Sequence, residues 1–368
     1  MRAGFLTLVL LAARLALSQP ATPDQLFGRA TEEQQRGDLT AAIRDYRAVL
    51  AMRPESIPAL VNLGAALAHD GQVDAAISEY EAALKLNPQL PSVHLDLGLA
   101  YTRKNDLEHA RDQFEAAHRA DPGEVRTAIL LGDAEARTGK AAEAAAMLTP
   151  MEAANAGNSD FEYVLGEALI AAGQLREGAT RVEKSAAMTN SAESWMLAGS
   201  SLLKTNEFNQ ARRDLDNAQR IDPSIPGLCT LDGTARDKDG DAKGAEPVFR
   251  LALQQNANDF DANLYLGAIL YNQRAMDEAK GYLEKALQLN PQSTMARYEY
   301  AMWESTSGQS EAAAQVLEKL TADDPSWLEP HVELATLYYK LHRPEDGKRE
   351  RAIVDKLTAE QQQQGPGK

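Results

Sequence analysis

Small residues recur along this chain at a nearly constant spacing of 34 positions. The first series has one member in each repeat: Ala30, Gly64, Gly98, Gly132, Gly166, Gly199, Gly233, Gly267, Ala301 and Ala335. A second series follows twelve positions later each time: Ala42, Ala76, Ala110, Ala144, Gly178, Ala211, Ala245, Ala279, Ala313 and Gly347. A fixed period of this length is typical of a repeat protein, in which each repeat is one supersecondary unit.

Residues that end helices divide every repeat. Proline lacks an amide N–H and disfavours helix in the residue before it, so it marks boundaries between repeats. It does so at Pro54, Pro88, Pro122, Pro223, Pro291 and Pro325. Glycine or asparagine, which readily adopt the left-handed conformation that closes a helix, lies between the two small residues. These positions are Gly37, Gly71, Asn105, Gly139, Gly173, Asn206, Gly240 and Gly308. The spacing predicts two helices per repeat, joined by a tight turn.

The small residues indicate close helix packing. Two antiparallel helices approach each other where one side chain is tiny and a bulky residue of the neighbour fills the space. A single helix pair cannot bury its apolar face alone, whereas stacked pairs form a continuous core. We therefore predict an all-α solenoid of about ten helix-turn-helix repeats over residues 19–357.

The repeat resembles the tetratricopeptide repeat. That family's pattern of W-x-x-L-G-x-x-Y, then A-x-x-x-F, then P is matched by the following residues: Leu63, Gly64, Leu67, Ala76, Tyr80 and Pro88, with Trp195 in another repeat. The resemblance covers residues from about 23 to about 357. It implies a right-handed superhelix of helix pairs that binds a peptide or protein, usually in its concave groove.

The resemblance also implies which positions line that groove, because the first helix of each repeat supplies them. In the middle repeats these positions are charged: Asp96, Arg103, Asp133, Arg137, Glu167 and Lys204. In repeats eight to ten they are mostly aromatic: Tyr265, Tyr271, Tyr298, Met302 and Tyr339. Tyrosine gives a large contact area at low entropic cost, so the second group is a candidate partner-binding patch. The alternative is that these tyrosines pack between helices.

Both ends of the chain differ from the repeats. Residues 1–18 combine a positive Arg2, a short apolar run and small residues near Ser18, which predicts a secretory signal peptide. Arg14 interrupts that run, and the alternative is an amphipathic N-terminal helix. The run is too short to cross a bilayer, which takes about 20 residues. Residues 358–368 lack core-forming side chains, so we expect a disordered tail.

Two repeats depart from the pattern. Repeat four has Pro150 late in its second helix, and repeat seven has Asp232 and Arg236 at core positions and Pro247 in its second helix. We expect soft points near residues 150–160 and 232–245, where local opening is easier than elsewhere. The alternative is ordinary irregularity at helix ends.

Composition and motifs argue against several functions. The net charge of −16 and the lack of a basic stripe disfavour nucleic-acid binding. Cys229 is the only cysteine, so no intramolecular disulfide forms, and we expect a buried thiol. The six histidines lack metal-ligand spacing, and no phosphate-binding or nucleophile motif appears. We therefore predict no catalytic, cofactor or metal site, and a protein that is not an enzyme.

These observations together predict a non-enzymatic scaffold that binds a protein or extended peptide in its groove. The expected location is the bacterial periplasm or the extracellular space, without a transmembrane segment in the mature chain. An assembly factor for an envelope complex would fit this description. The alternative is a regulatory or structural subunit of an envelope enzyme complex, such as a glycosyltransferase or a polysaccharide secretion machine. The sequence does not fix an oligomeric state.

Overall fold

The protein is a helical solenoid in a computed structural model that describes residues 21–364. The expected signal peptide, residues 1–18, lies outside this range. Helix pairs follow one another through the described residues, which contain no β-strand. The chain divides into two compact units, one ending at Pro150 and the other beginning at Met151.

The N-terminal unit contains the first four repeats. Their helices are α1 (Pro23–Gln35), α2 (Leu39–Met52), α3 (Ile57–His69), α4 (Val73–Leu86), α5 (Pro91–Arg103), α6 (Leu107–Ala120), α7 (Val125–Arg137) and α8 (Ala141–Leu148). Each odd-numbered helix packs against the even-numbered helix that follows it.

The C-terminal unit contains repeats five to ten. It begins with the short α9 (Glu152–Asn155). The helix pairs are α10 (Ser159–Ala171) and α11 (Leu175–Thr189), α12 (Ala192–Lys204) and α13 (Phe208–Ile221), α14 (Leu228–Lys238) and α15 (Ala242–Gln255), α16 (Phe260–Asn272) and α17 (Met276–Leu289), α18 (Thr294–Thr306) and α19 (Ser310–Asp323), and α20 (Leu328–Lys340) and α21 (Pro344–Gln364). No helix in the described part of the chain is both long and apolar enough to cross a membrane.

The tight turn within each repeat adopts the left-handed conformation that the sequence predicts. All eight of the glycines and asparagines named for this position have positive φ angles. Arg274 and His342 occupy the same position in repeats eight and ten, with φ angles of 67° and 58°. The turn geometry is therefore kept even where the residue type does not favour it, because the packed helices on both sides impose it.

The small glycine on the first helix of repeats two, three and five to eight meets a larger side chain on the second helix. A Cβ atom added to Gly98 would lie 2.5 Å from the ring of Phe114, and one added to Gly64 would lie 2.7 Å from the ring of Tyr80. Both rings are buried. The predicted reason for the small-residue series, close approach of two helices, is confirmed at these positions.

The division between the two units falls at the first predicted soft point. A 3₁₀ turn at Thr149–Met151 ends the second helix of repeat four, and α9 follows it with a single turn of α-helix. Asn155 then donates a hydrogen bond from its side chain to the carbonyl of Met151. Local mobility at residues 150–160 stays a prediction.

Repeat seven holds its charged core residues through an internal ion pair. Asp232 is fully buried on α14, and its Oδ1 accepts from Nε of Arg236 at 2.9 Å. Arg236 also donates to Asp216 on α13. Pro247 lies within α15, which is one continuous helix from Ala242 to Gln255. No unit boundary falls at residues 232–245.

The last helix is longer than the repeat pattern predicts. It continues through Gln364 and so includes residues 358–364, which the sequence analysis assigned to a disordered tail. Alanine, glutamate and glutamine have high helix propensity, so these residues extend the preceding helix, and residues 359–362 are exposed. The rest of the predicted tail, residues 365–368, lies outside the described part of the chain.

We predict that Gly98→Ala lowers the free energy of unfolding by about 1–3 kcal/mol, because the new methyl group overpacks the contact with Phe114. Gly28→Ala is the matched control, since a Cβ atom there meets nothing within 4 Å. That control should stabilise the protein by about 0.5–1 kcal/mol through helix propensity alone. Urea denaturation followed by circular dichroism measures both changes. Equal effects of the two substitutions would contradict this account of the small residues.

We also predict that a protease of broad specificity cuts first within residues 150–160. Short irregular helices open at lower free energy than packed ones, so this segment should reach the cleavable state most often. Mass spectrometry of the early fragments locates the first cut. First cleavage at the turns of other repeats would contradict the prediction.

Candidate protein-binding surface

The first helices of consecutive repeats form one face in each unit. In the N-terminal unit α1 contacts α3 and α3 contacts α5, and in the C-terminal unit α12, α14, α16 and α18 contact one another in series. The hydroxyl group of Tyr271 on α16 lies 2.9 Å from the Oγ1 atom of Thr306 on α18. These first helices approach each other more closely than the second helices of the same repeats do. We call the surface of the first helices the inner face.

The charged groove positions of the N-terminal unit largely engage the chain itself. Arg103 donates from Nη1 to the carbonyl of Ala68 at 2.7 Å. Arg137 pairs with Asp133 one helical turn away, at 3.3 Å between Nη1 and Oδ2. Asp96 is half-buried, and burial raises the pKa of its carboxyl group against the opposing charge of Arg126. These residues lie on α5 and α7, but their charges are already partly compensated.

The two remaining charged positions belong to the C-terminal unit. Glu167 is half-buried on α10 and interacts with other groups of the chain. Lys204 is exposed at the last position of α12. Four of the predicted charged positions therefore belong to the N-terminal unit and two to the C-terminal unit.

Tyr265 and Tyr271 lie on α16, and each is half-buried. The Tyr265 ring stacks on the buried ring of Phe249, with 5.8 Å between centroids. The ammonium group of Lys238 lies 5.2 Å from the centroid of the same Tyr265 ring. The Tyr265 ring thus packs on Phe249 and forms a cation–π contact with Lys238 at the same time.

The other candidates in repeats nine and ten are Tyr298, Met302 and Tyr339. Tyr298 packs against Trp327 with 5.3 Å between ring centroids, and both Tyr298 and Met302 are half-buried on α18. Tyr339 on α20 is 43% exposed and borders the space left by Gly347. These tyrosines contact neighbouring helices and remain partly accessible, and their role in partner binding stays a prediction.

Sequence reasoning missed four carboxyl groups on the same helices: Asp237, Asp261, Glu299 and Glu333. Burial raises the pKa of each of them. Glu299 and Glu333 occupy the same place in their repeats as Asp96 and Tyr265, two residues before the small residue. This shared position is the sequence signal for Glu299 and Glu333, and it becomes visible only when all the repeats are aligned.

The structure brings together no set of metal ligands within residues 21–364, where histidine, cysteine, aspartate and glutamate nowhere form a group of three. Cys229 is 1% exposed, in the core of repeat seven. Burial raises the pKa of its thiol, and the negative charge of Asp232 adds to this shift. The thiol is therefore held protonated and away from solvent.

A buried carboxyl pair lies away from the inner face, between α11 and α13. Burial, the negative charge of Glu183 and a hydrogen bond to it raise the pKa of Asp214 to about 8. Asp214 is 4% exposed, and its Oδ2 atom accepts from no donor in the described residues. Gln210 donates to the other carboxylate, at 2.7 Å from Glu183 Oε1. A proton held on Asp214 removes the repulsion between its carboxyl group and the charge of Glu183.

The helix pairs define a class of protein, the α-helical repeat solenoid. Family models described as tetratricopeptide repeat match residues 27–91 and 231–294, residues 67–134 and 273–328, and residues 192–225. Together these matches include parts of both units. The chain belongs to the tetratricopeptide repeat family.

Similar proteins come from different contexts. Anaphase-promoting complex subunit 3 of Schizosaccharomyces pombe is 24% identical over 105 residues, which are 28% of this chain and 16% of that relative. The solved structure of the APC/C hetero-tetramer Cut9-Hcn1 is 13% identical with a TM-score of 0.50, over 92% of this chain and 88% of that one. A tetratricopeptide repeat protein from Parabacteroides merdae is 15% identical with a TM-score of 0.47, over 67% of this chain and 98% of that one. At these identities the Cut9-Hcn1 match shows the fold alone.

The Asp214 pair predicts how stability changes with pH. The folded state holds a proton that the unfolded state releases above about pH 4, so this contribution to stability is lost as the pH rises toward about 8. Asp214→Asn removes the titration, and we expect its melting temperature to fall less than that of the wild type between about pH 5 and about pH 8. Asp277→Asn, an exposed site on α17, should follow the wild type. Parallel melting curves for all three proteins would contradict the assignment.

Proposed function

We propose that the protein binds an extended segment of a partner protein on the inner face of repeats seven to ten. The observation that carries this proposal is the row of half-buried tyrosines on adjacent first helices, Tyr265 and Tyr271 on α16 and Tyr298 on α18. A tyrosine held on one side by packing is pre-organised, so its accessible edge contacts a partner at low entropic cost. The protein acts as a scaffold by this proposal and performs no reaction of its own.

The broader role as a protein-interaction scaffold follows from the family. The tetratricopeptide fold presents helix surfaces rather than an enclosed catalytic pocket, and no motif for catalysis occurs in the sequence. The structure of similar fold in the APC/C hetero-tetramer Cut9-Hcn1 comes from a protein complex, which supports the same role here.

An envelope location is part of the proposal. It is supported by the signal-peptide pattern in residues 1–18 and by a single cysteine that requires no partner. In this setting the scaffold assembles an envelope complex. The second candidate is a regulatory or structural subunit of an envelope enzyme such as a glycosyltransferase, and a change in the activity of the captured partner on addition of this protein distinguishes the two.

We predict that replacing Tyr271 and Tyr298 together by alanine abolishes capture of the partner. The measurement is cross-linking in intact cells followed by affinity purification of the tagged protein. Loss of two central aromatic contacts should weaken binding by at least about 2 kcal/mol, or roughly 30-fold.

Because Tyr298 also packs on Trp327, the variant requires a folding control. Circular dichroism should show helical content equal to that of the wild type. A control variant of equal size, Tyr163→Ala with Tyr282→Ala, removes two half-buried tyrosines outside the row. Retention of the partner by the folded Tyr271/Tyr298 variant would move the binding site away from repeats seven to ten.

A further inference from the structure

The tyrosines of repeats seven to ten lie among carboxylates. Burial and the negative charges of Asp261 and Asp237 raise the pKa of Tyr265. Burial and the negative charges of Glu333, Glu299 and Glu329 raise the pKa of Tyr298. These groups come from four successive first helices. We call them the tyrosine–carboxylate surface: Asp237, Asp261, Tyr265, Tyr271, Tyr298, Glu299, Glu329 and Glu333.

The carboxylates of this surface lack ion-pair partners. Within the described residues none of the five lies within 4 Å of a cationic group. Some other acids in the same repeats are paired, as Glu278 is with Arg250 at 2.6 Å. Lys238 acts through space on Asp237 and Glu299, and Lys340 acts through space on Glu333. The surface therefore keeps a negative excess.

Partial burial strengthens the attraction of this negative excess for a cation. Asp237, Glu299 and Glu333 are half-buried, so water solvates their charges less well than it solvates fully exposed carboxylates. An arriving cation regains electrostatic energy in a medium of reduced dielectric, and it also relieves repulsion between neighbouring acids. The same arrangement repels an anionic segment.

The chain itself shows how a cation sits on this surface. The ammonium group of Lys238 lies over the Tyr265 ring, 5.2 Å from its centroid. Tyr271 and Tyr298 are rings of the same kind on the same face. The hydroxyl group of Tyr271 forms a hydrogen bond with Thr306, which fixes the position of the Tyr271 ring. A lysine or arginine that packs on such a ring gains a cation–π interaction as well as a carboxylate partner.

From this geometry we infer that the tyrosine–carboxylate surface binds an extended polypeptide segment whose lysine and arginine side chains pack on the tyrosines and pair with the carboxylates. This inference rests on the proposed function and specifies the chemistry of the partner. The occupant is a basic segment of another protein.

The test uses the purified full chain and a labelled short peptide of alternating lysine and alanine. Glu299→Gln with Glu333→Gln should weaken binding of this peptide about tenfold, as expected for the loss of two half-buried charge pairs. A peptide of alternating glutamate and alanine should not bind. Fluorescence anisotropy measures both at low and at physiological salt.

Asp277→Asn with Glu311→Gln is the matched control. It removes the same number of charges from exposed sites on the second helices α17 and α19, where neither acid forms an ion pair among the described residues. This variant should bind within about twofold of the wild type, because exposed charges at a distance are screened by salt. Equal weakening by the two double variants would overturn the inference, since the net charge alone would then attract the peptide.

Competition separates this inference from the proposed function. The lysine–alanine peptide should displace the partner captured in cells, and the glutamate–alanine peptide should not. A partner that depends on Tyr271 and Tyr298 but resists the lysine–alanine peptide would overturn the basic-segment inference and leave the proposed function standing. A partner that persists in the folded Tyr271/Tyr298 variant would overturn the proposed function itself.

Discussion

The fold depends on one contact that recurs in repeats two, three and five to eight: a small residue on the first helix faces a larger side chain sixteen positions later on the second helix. Gly98 against Phe114 and Gly233 against Phe249 show the same arrangement in the two units. The absence of a side chain lets the helices approach, and the bulky partner then excludes water from their seam. Because a single pair buries too little apolar surface to be stable alone, the contact succeeds only when pairs stack.

The stacking contacts between repeats use polar groups at a position where the family pattern has tryptophan. His94 and His331 each donate from Nε2 to the carbonyl of the proline six residues earlier, at 3.0 Å and 3.3 Å. Asn263 donates in the same way to the carbonyl of Ala257 at 3.2 Å. A carbonyl group at the end of one repeat thereby accepts a hydrogen bond from the first helix of the next. Histidine and asparagine thus make the same hydrogen bond at this position. A sequence pattern that specifies only tryptophan there does not reveal it.

Charge is distributed unequally around these helices. Within the C-terminal unit, arginines on or near the second helices pair with acids, as Arg250 does with Glu246 and Glu278. The carboxylates beside Tyr265 and Tyr298 on the first helices remain without ion pairs among the described residues. An acid that already forms an ion pair within the chain attracts a cation of a partner only weakly. An unpaired, half-buried acid keeps its negative potential and attracts such a cation more strongly. This difference gives the inner face of repeats seven to ten its chemical character.

The sequence by itself determined the period, the two helices of each repeat and the left-handed turn between them, because spacing and residue type act locally through helix propensity and backbone sterics. It also named Tyr265, Tyr271 and Tyr298 correctly as first-helix residues. Only the tertiary structure decided what surrounds them: which ring stacks on Phe249, where Lys238 places its charge, and which acids lack a cation. It likewise placed left-handed Arg274 in a turn that no glycine marks. Such features depend on contacts between different repeats, where distance and burial set the energy, and no local pattern encodes those quantities.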